Sequence, residues 1–453
     1  MAHHAAVARL QAWENAHRDR LQRFAPVAIR GQVQRVNGTL VQCRLPDAQI
    51  GDLCRVERGD REPLLAEIVG FDRHDALLSA LGGLEGVRVG ATVEPLGMPH
   101  RVQVGDHLLG QVLDGFGRPL LDGGVGAFAD ASVLQASAVI AEAPAPTARP
   151  RIRQPLSTGV RAIDGPLTLG EGQRVGLFAG AGCGKTTLLA EIARNVECDV
   201  IVFGLIGERG RELREFLDHE LDDELRARAV LVCATSDRSS MERARAAFTA
   251  TALAEGFRAN GRKVLLLIDS LTRFARAQRE IGLAAGEPLG RGGLPPSVYS
   301  LLPRLVERAG LTETGAITAL YTVLIEQDSM NDPVADEVRS LLDGHIVLSR
   351  KLAERGHYPA VDVLASLSRT LSNVADPQHL RAGIQLRRLL SAYDQIELML
   401  RLGEYQAGTD PLTDLAVDSR AVLDGFLRQD LREPEPLAST LAQLHQLTAH
   451  VPG

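Results

Sequence analysis

The chain has 453 residues, 45% of them hydrophobic and only 4% aromatic, with a net charge of −7 at pH 7. That length allows about two to four domains with sizeable cores, and the acidic balance with few aromatics excludes a general electrostatic or base-stacking surface for nucleic acid. No apolar run approaches the ~18 residues of a membrane span, the N-terminal residues lack the apolar stretch of a secretory leader, and the five cysteines (43, 54, 183, 198 and 233) form no CxxC pair and are odd in number, which points to a reducing, cytoplasmic compartment without a disulfide frame.

In chain order, residues 5 to 24 set Val7, Leu10, Trp13, Leu21 and Phe24 among charges at a spacing that predicts a short amphipathic helix. Such a helix docks on its own chain, on a partner helix or on a membrane surface; its mixed charges make the last the weakest. Residues 26 to 95 read as short strands. Val41, Cys43 and Leu45 alternate with polar residues, and Asn37-Gly38 between two such runs is a two-residue hairpin signal. A small β-barrel is expected. From about residue 96 the pattern changes, and Pro144, Pro146, Pro150 and Pro155 mark a linker-like stretch. Candidate strands at 175–179, 200–206, 229–234, 264–268 and 317–325 then alternate with helices, one of them opened by the capping box Ser239-Ser240-Met241-Glu242 and ending near Gly261. That alternation implies a mostly parallel sheet. From about 376 to the end, Leu, Arg, Glu and Gln recur at helical spacing.

The predicted fold class is therefore α/β: a phosphate-loop core with a mostly parallel sheet, preceded by a small N-terminal β-barrel and followed by a C-terminal α-helical domain. The expected segments are 1–25 (amphipathic), 26–95 (barrel), 96–375 (core) and 376–453 (helical).

Within the core, Ala179-Gly180-Ala181-Gly182-Cys183-Gly184-Lys185-Thr186-Thr187 follows the apolar Val175-Gly176-Leu177-Phe178 and precedes Leu188-Leu189-Ala190-Glu191-Ile192-Ala193. Strand, glycine loop and helix are the context of a phosphate-binding loop. Glycines let successive N–H groups turn around phosphate oxygens, and the helix start adds partial positive charge. Residues Gly180 to Thr187 thus predict nucleoside triphosphate binding, with Lys185 on the β- and γ-phosphates and the Thr186 hydroxyl on Mg²⁺. Ala179 departs from the strict pattern, which has Gly there. Asp269 ends the apolar run Val264–Ile268, where phosphate-loop enzymes hold Mg²⁺; alone, it would equally be a helix cap. Gly207-Glu208-Arg209-Gly210-Arg211-Glu212 follows the strand 200–206. Glu208 there could polarise an attacking water and Arg209 could bind phosphate, although spacing alone favours a solvated charged turn. Cys183, a thiol at a helix start beside Lys185, is expected to react with a maleimide and be protected by Mg-ATP.

Several of these stretches resemble a known family. Gly207–Glu212, Asp269-Ser270-Leu271-Thr272-Arg273 and Tyr358-Pro359-Ala360-Val361-Asp362 are similar to catalytic subunits of rotary ATPases and their relatives. Two longer stretches, Ala275–Pro288 and Leu342–Arg350, resemble the export ATPases of type III secretion, flagellar and injectisome alike. The resemblance runs from about residue 25 to the C-terminus. It implies a RecA-like ATPase core, cofactors ATP and Mg²⁺, and assembly as a homohexamer. By position it implies Glu208 as catalytic carboxylate, Lys185 and Arg209 as γ-phosphate ligands, Thr186 and Asp269 as metal residues, and Tyr358 stacking on adenine. Arg369 would be an arginine finger reaching the neighbouring subunit's nucleotide, and Pro295-Pro296-Ser297-Val298-Tyr299 a loop facing the ring's pore or, alternatively, one packed on the following helix. Implied partners are a stalk protein in the pore, a regulator at the N-terminal segment, chaperone–substrate complexes at the C-terminal domain and the export gate at the inner membrane, where the cytoplasmic protein would be peripherally associated. The work implied is releasing chaperones and helping to unfold exported proteins. The run of matches, with Cys183 where flagellar members often carry Val, favours the injectisome. A flagellar export ATPase, a rotary ATP synthase subunit, a ring-shaped RNA translocase and a non-catalytic nucleotide-binding subunit are the rivals. The RNA reading would need a basic aromatic barrel, but residues 26–95 hold Phe71 as the only aromatic.

Overall fold

The computed structural model describes residues 13, 29–121, 123–129, 136–325, 332–408, 410–430 and 432–451. The amphipathic helix expected over 5–24 lies outside them except for Trp13, which is exposed. The chain divides into two compact units, up to Met98 and from Pro99.

The first unit is a closed barrel of β1 (Gly31–Asn37), β2 (Leu40–Arg44), β3 (Asp52–Arg58), β4 (Arg61–Asp72), β5 (Asp75–Ala80) and β6 (Thr92–Pro99), in the order β1-β2-β5-β4-β3-β6. Its interior is filled by alternate residues, among them Val33, Val41, Cys43, Cys54, Val56, Ile68, Leu78 and Val93. None of the five cysteines is in a disulfide, and burial pushes the thiols of Cys43 and Cys54 up to about 12. The first hairpin turns one residue later than expected. Asn37 pairs with Leu40, so Gly38 and Thr39 form the loop. The positive φ of 58° falls on Gly38, where an added Cβ would meet nothing within 4 Å but the left-handed backbone favours glycine.

The second unit is built on a twisted sheet. Its strands are β7 (Val112–Leu113), β8 (Arg174–Ala179), β9 (Val200–Ile206), β10 (Ala229–Ala234), β11 (Lys263–Asp269), β12 (Ala316–Leu324), β13 (Gly344–Leu348) and β14 (Val361–Ser368). The order along the main path is β14-β13-β8-β12-β11-β9-β10-β7, and neighbours on it run parallel except β13 and β14; off that path the two-residue strand Gly310–Leu311 pairs antiparallel with β12. Helices cover both faces, so β9 and β10 are buried at every position and read as uninterrupted apolar runs. Three strands carry no such signal. β14 is an edge with mixed exposure, β13 has only five residues, and β7 comes from ahead of the proline-rich stretch.

Helix α1 (Lys185–Asn195) follows β8, α2 (Gly210–Glu215) follows β9, and α3 (Ser240–Ala259) crosses the sheet. The Ser239 hydroxyl accepts from the Glu242 amide at 3.1 Å and caps α3. Then come α4 (Leu271–Ala284), α5 (Pro296–Val306) and α6 (Pro333–Leu341). The C-terminal region is helical: α7 (Pro377–Leu402), α8 (Pro411–Asp418), α9 (Arg420–Leu427) and α10 (Leu437–Thr448). Asp376 caps α7 by accepting from the Gln378 and His379 amides, Pro377 fills its first turn, and Gly403 ends it at φ 73°. Leu386, Leu389, Leu423, Phe426 and Leu444 from these helices share one core with Leu188 and Ile192 of α1. The C-terminal helices are thereby rooted beside the phosphate loop.

Alanines let α3 lie close to the sheet. A Cβ on Gly204 of β9 would stand 3.2 Å from Ala250 Cβ and 2.6 Å from Ile268 Cδ1. Gly204→Val should therefore overpack this layer and cost about 1–3 kcal/mol, read as a lowered thermal unfolding midpoint; an unchanged midpoint would contradict this packing.

Candidate active site

The carboxyl ends of β8, β9 and β11 lie along one edge of the sheet, where open α/β sheets bind ligands. Loop Gly180–Gly184 leaves β8 and enters α1 with Gly182 at φ 80° and Gly184 at φ 78°, both in the left-handed region that suits glycine. Gly184 is the N-cap of α1, so no side chain occupies the first amides of the helix. A Cβ at Gly184 would also sit 3.5 Å from the Tyr358 ring.

Lys185 Nζ lies 2.5 Å from Asp269 Oδ1 and 3.9 Å from Glu208 Oε1. The Thr322 hydroxyl donates to Asp269 Oδ1 at 2.6 Å. Arg273 Nη1 lies 2.9 Å from Glu208 Oε2 and also donates to the Gly207 carbonyl. Asp269 is the last residue of β11, and the cap of α4 is instead Ser270, whose hydroxyl accepts from the Arg273 amide. Thr186, Glu208, Glu212 and Asp269 border a cavity of 80 Å³ whose other walls include Leu189, Phe203, Leu205 and Phe216. Burial and the nearby Asp269 charge push the Glu208 carboxyl up to about 7, against the pull of Lys185 and Arg273. A hydrogen bond with Glu208 holds Glu212 below the ordinary carboxylate range. The charged turn is thus a built cluster of opposed charges and not merely a solvated one.

Tyr358 lines a cleft of 520 Å³ with Gly182, Cys183, Gly184, Thr187, Pro359 and Ala360, and its far wall is Gln429, Asp430 and Arg432. Gly180 and Ala181 complete the loop, Gly180 buried and Ala181 exposed. The structure brings together Gly182 to Thr187, Glu208, Asp269 and Tyr358.

It does not bring in Arg209 or Arg369. Arg209 is the N-cap of α2; its side chain is 77% exposed and lies 3.7 Å from Glu212. Arg369 is exposed just beyond β14. Ser368 pairs with Gly344, whereas Leu348 pairs with Ala179 at the phosphate loop. Arg369 therefore sits at the opposite end of the sheet from Lys185. The Cys183 expectation needs correction. The residue is 2% exposed, with Sγ 3.9 Å from the Ala181 carbonyl, so a bulky maleimide lacks ready access to it. Ser297 and Tyr299 are folded onto the preceding loop: the Ser297 amide donates to Glu287 at 2.9 Å and the Tyr299 hydroxyl to the Arg291 carbonyl at 2.7 Å. Sequence reasoning missed Thr322 and the wall of Gln429, Asp430 and Arg432. Thr318 and Thr322 both interrupt the apolar run 316–324 and nothing local distinguishes them; no motif marks the wall.

Residues 159–368 match the family model of the ATP synthase alpha/beta family nucleotide-binding domain, and residues 33–97 that family's beta-barrel domain. Residues 375–446 match the T3SS EscN ATPase C-terminal domain. A type 3 secretion system ATPase of Pseudomonas syringae pv. syringae is 69% identical over 446 residues, covering 98% of this chain and 99% of that one. The chain belongs to the type 3 secretion system ATPases. Among solved structures, the assembled ATPase EscN of the enteropathogenic E. coli type III secretion system matches with TM-score 0.86 and 45% identity, over 92% of this chain and 100% of that one. The same ATPase in complex with its central stalk EscO matches with TM-score 0.84 and 44% identity, over the same shares of the two chains. The C-terminal match separates this ATPase from rotary synthase subunits and RNA translocases.

Because burial raises the Glu208 carboxyl from 4.5 to about 7, the folded ATPase holds an extra proton on this group across that window, and this group's contribution to stability falls as pH rises through it. Glu208→Gln removes this titration. The wild type should lose thermal stability relative to Glu208→Gln as pH rises across the window; parallel curves would contradict the assigned environment.

Proposed function

We propose that this ATPase hydrolyses ATP at the cluster of Lys185, Glu208 and Asp269 and that, as a ring of identical subunits, it energises an injectisome-type secretion apparatus. The observation that carries the reading is the Lys185 ammonium set between two carboxylates at the ends of parallel strands, directly behind a glycine loop. Lys185 would leave Asp269 for the β- and γ-phosphates. Glu208, once ionised, would hold and polarise the attacking water. Tyr358 would cover the adenine face from its place against Gly184.

The Thr186 hydroxyl and the Asp269 carboxylate are hard oxygen donors bordering one cavity, which suits Mg²⁺ held by few protein groups together with phosphates. Bound there, Mg²⁺ would neutralise charge developing on the phosphate oxygens. Thr322 would keep Asp269 oriented, and Thr322→Val should raise the Mg²⁺ concentration needed for half-maximal activity by roughly 10- to 100-fold; an unchanged requirement would remove Asp269 from the metal role.

Arg369 is too far along the sheet to serve its own chain's nucleotide, which fits an arginine finger given to the neighbouring subunit of a homohexamer. Arg209 would need to turn from Glu212 to reach the γ-phosphate. The assembled relative and its complex with a central stalk support self-association and a stalk protein in the pore. A regulator at the N-terminal segment, chaperone–substrate complexes at the C-terminal helices and the export gate complete the partners. Release of chaperones and unfolding of cargo would take place at the cytoplasmic face of the inner membrane. Among the described residues no helix is long and apolar enough to cross a membrane.

The test is Mg-ATPase activity per milligram against protein concentration, for wild type and Arg369→Ala. Activity should climb steeply with concentration, and Arg369→Ala should lose about 10³-fold in kcat while ATP affinity is retained. Flat activity from a protein shown to be monomeric by mass would overturn the trans assignment.

A further inference from the structure

The far wall of the nucleotide cleft follows directly on the last turn of α9. A helix end leaves carbonyls without partners, and Arg161 takes up three oxygens there. Its Nε donates to the Phe426 carbonyl at 2.8 Å, and its Nη2 donates to those of Gly425 at 3.2 Å and Arg428 at 2.6 Å. Nη1 pairs with Glu435 at 3.4 Å. The Arg161 backbone amide donates to Gln429 Oε1 at 2.9 Å. One residue of the nucleotide-binding domain therefore grips the chain on both sides of Gln429, Asp430 and Arg432. The planar fork of arginine suits this, whereas an ammonium would reach only part of it.

Both ends of the grip are firm. Asp164, fully buried, accepts from the Ser157 and Thr158 hydroxyls and from the Thr158 and Gly159 amides. That pins the loop ahead of Arg161. The Gly159 carbonyl accepts from Gln429 Nε2 at 2.8 Å and from the Glu435 amide at 3.0 Å. A Cβ on Gly165 would come within 3.1 Å of the Phe426 ring, so the two segments meet at near-backbone separation. The Gln429 amide then donates to the Tyr358 carbonyl at 3.0 Å. A continuous set of contacts thus runs from Arg161 through Gln429 to the aromatic side of the cleft, and Arg161 itself is absent from the cleft lining.

We propose that Arg161 is a positioning residue that holds Gln429, Asp430 and Arg432 as the base-side wall of the cleft and so sets affinity for the nucleoside part of the nucleotide without touching it. This rests on the cleft being the nucleotide site. The phosphate end depends on the glycine loop and Lys185, which Arg161 does not contact. Loss of the clasp should therefore weaken ATP but spare a ligand made of phosphates alone.

The experiment compares equilibrium binding of ATP and of inorganic tripolyphosphate, both with Mg²⁺, to the full-length wild type, Arg161→Lys and Arg161→Ala, together with KM and kcat for ATP. With the wall in place about a tenth of the time, ATP affinity falls about tenfold in Arg161→Ala, KM rises in step and kcat moves by less. Tripolyphosphate affinity stays as in the wild type. Arg161→Lys falls between, and it carries the test if Arg161→Ala does not fold. Equal weakening of both ligands would mean general disruption and overturn the proposal, as would unchanged ATP affinity. A wild type that binds tripolyphosphate but gains nothing from the nucleoside would instead remove the reading of the cleft, and the proposal with it.

Discussion

One cation between two carboxylates organises this molecule. Lys185 enters from the loop after β8, Asp269 ends β11, and Glu208 follows β9, while Thr322 comes from β12 between β8 and β11. Strands ~4.8 Å apart bring such ends together only when they run parallel and in register. The register meets this: Ile268 faces Tyr321, and Leu205 faces Asp269. Charges this buried would be costly unpaired. Lys185 offsets Asp269 most directly and Glu208 only at longer range, where Arg273 lies closer; burial and the Asp269 charge still raise the proton affinity of Glu208. On the proposed function a triphosphate would compete for that same cation, so substrate binding and the release of Asp269 from Lys185 would be one event.

The sheet also explains what the amino-acid sequence made legible. The phosphate loop, Lys185, Asp269 and the five long apolar strands could be read because a strand covered on both faces has few polar positions to confuse its pattern. β14 could not, since an edge strand with Leu364 and Leu367 exposed has no clean alternation, nor could β13, which has only five residues. The barrel's first hairpin was displaced by one residue because Asn and Gly both favour turns, and only the backbone shows which of them carries the positive φ. Thr322 was hidden because its importance comes from strand order, which no local pattern encodes. Cys183 was misjudged because the motif locates the thiol but not the loop atoms that cover it. Gln429, Asp430 and Arg432 lie far from the glycine loop in sequence and reach the cleft only through the docking of the C-terminal helices.

Those helices matter for the same electrostatic centre. Their core is continuous with that of α1, so the helix that begins at Lys185 is braced by α7 and α9. The two arginines outside the cluster fit the same scheme. Arg209 lies on the surface beside Glu212, and Arg369 lies at the far end of the edge strand. In the proposed ring a neighbouring Arg369 would add positive charge beside the cluster of one chain, whose own Lys185 and Arg273 are paired with carboxylates. Hydrolysis then reports on assembly, a useful property for an ATPase coupled to a larger apparatus.

The most direct test mixes two inactive variants, Lys185→Ala and Arg369→Ala, at equal concentration. Heterologous contacts in a mixed ring place an intact Lys185 against an intact Arg369 at about a quarter of the interfaces. The account predicts that the mixture regains a corresponding share of wild-type ATPase activity, although each variant alone has almost none. A mixture that co-assembles and stays as inactive as its parts would contradict it, because the residues of one site would then all have to come from one chain.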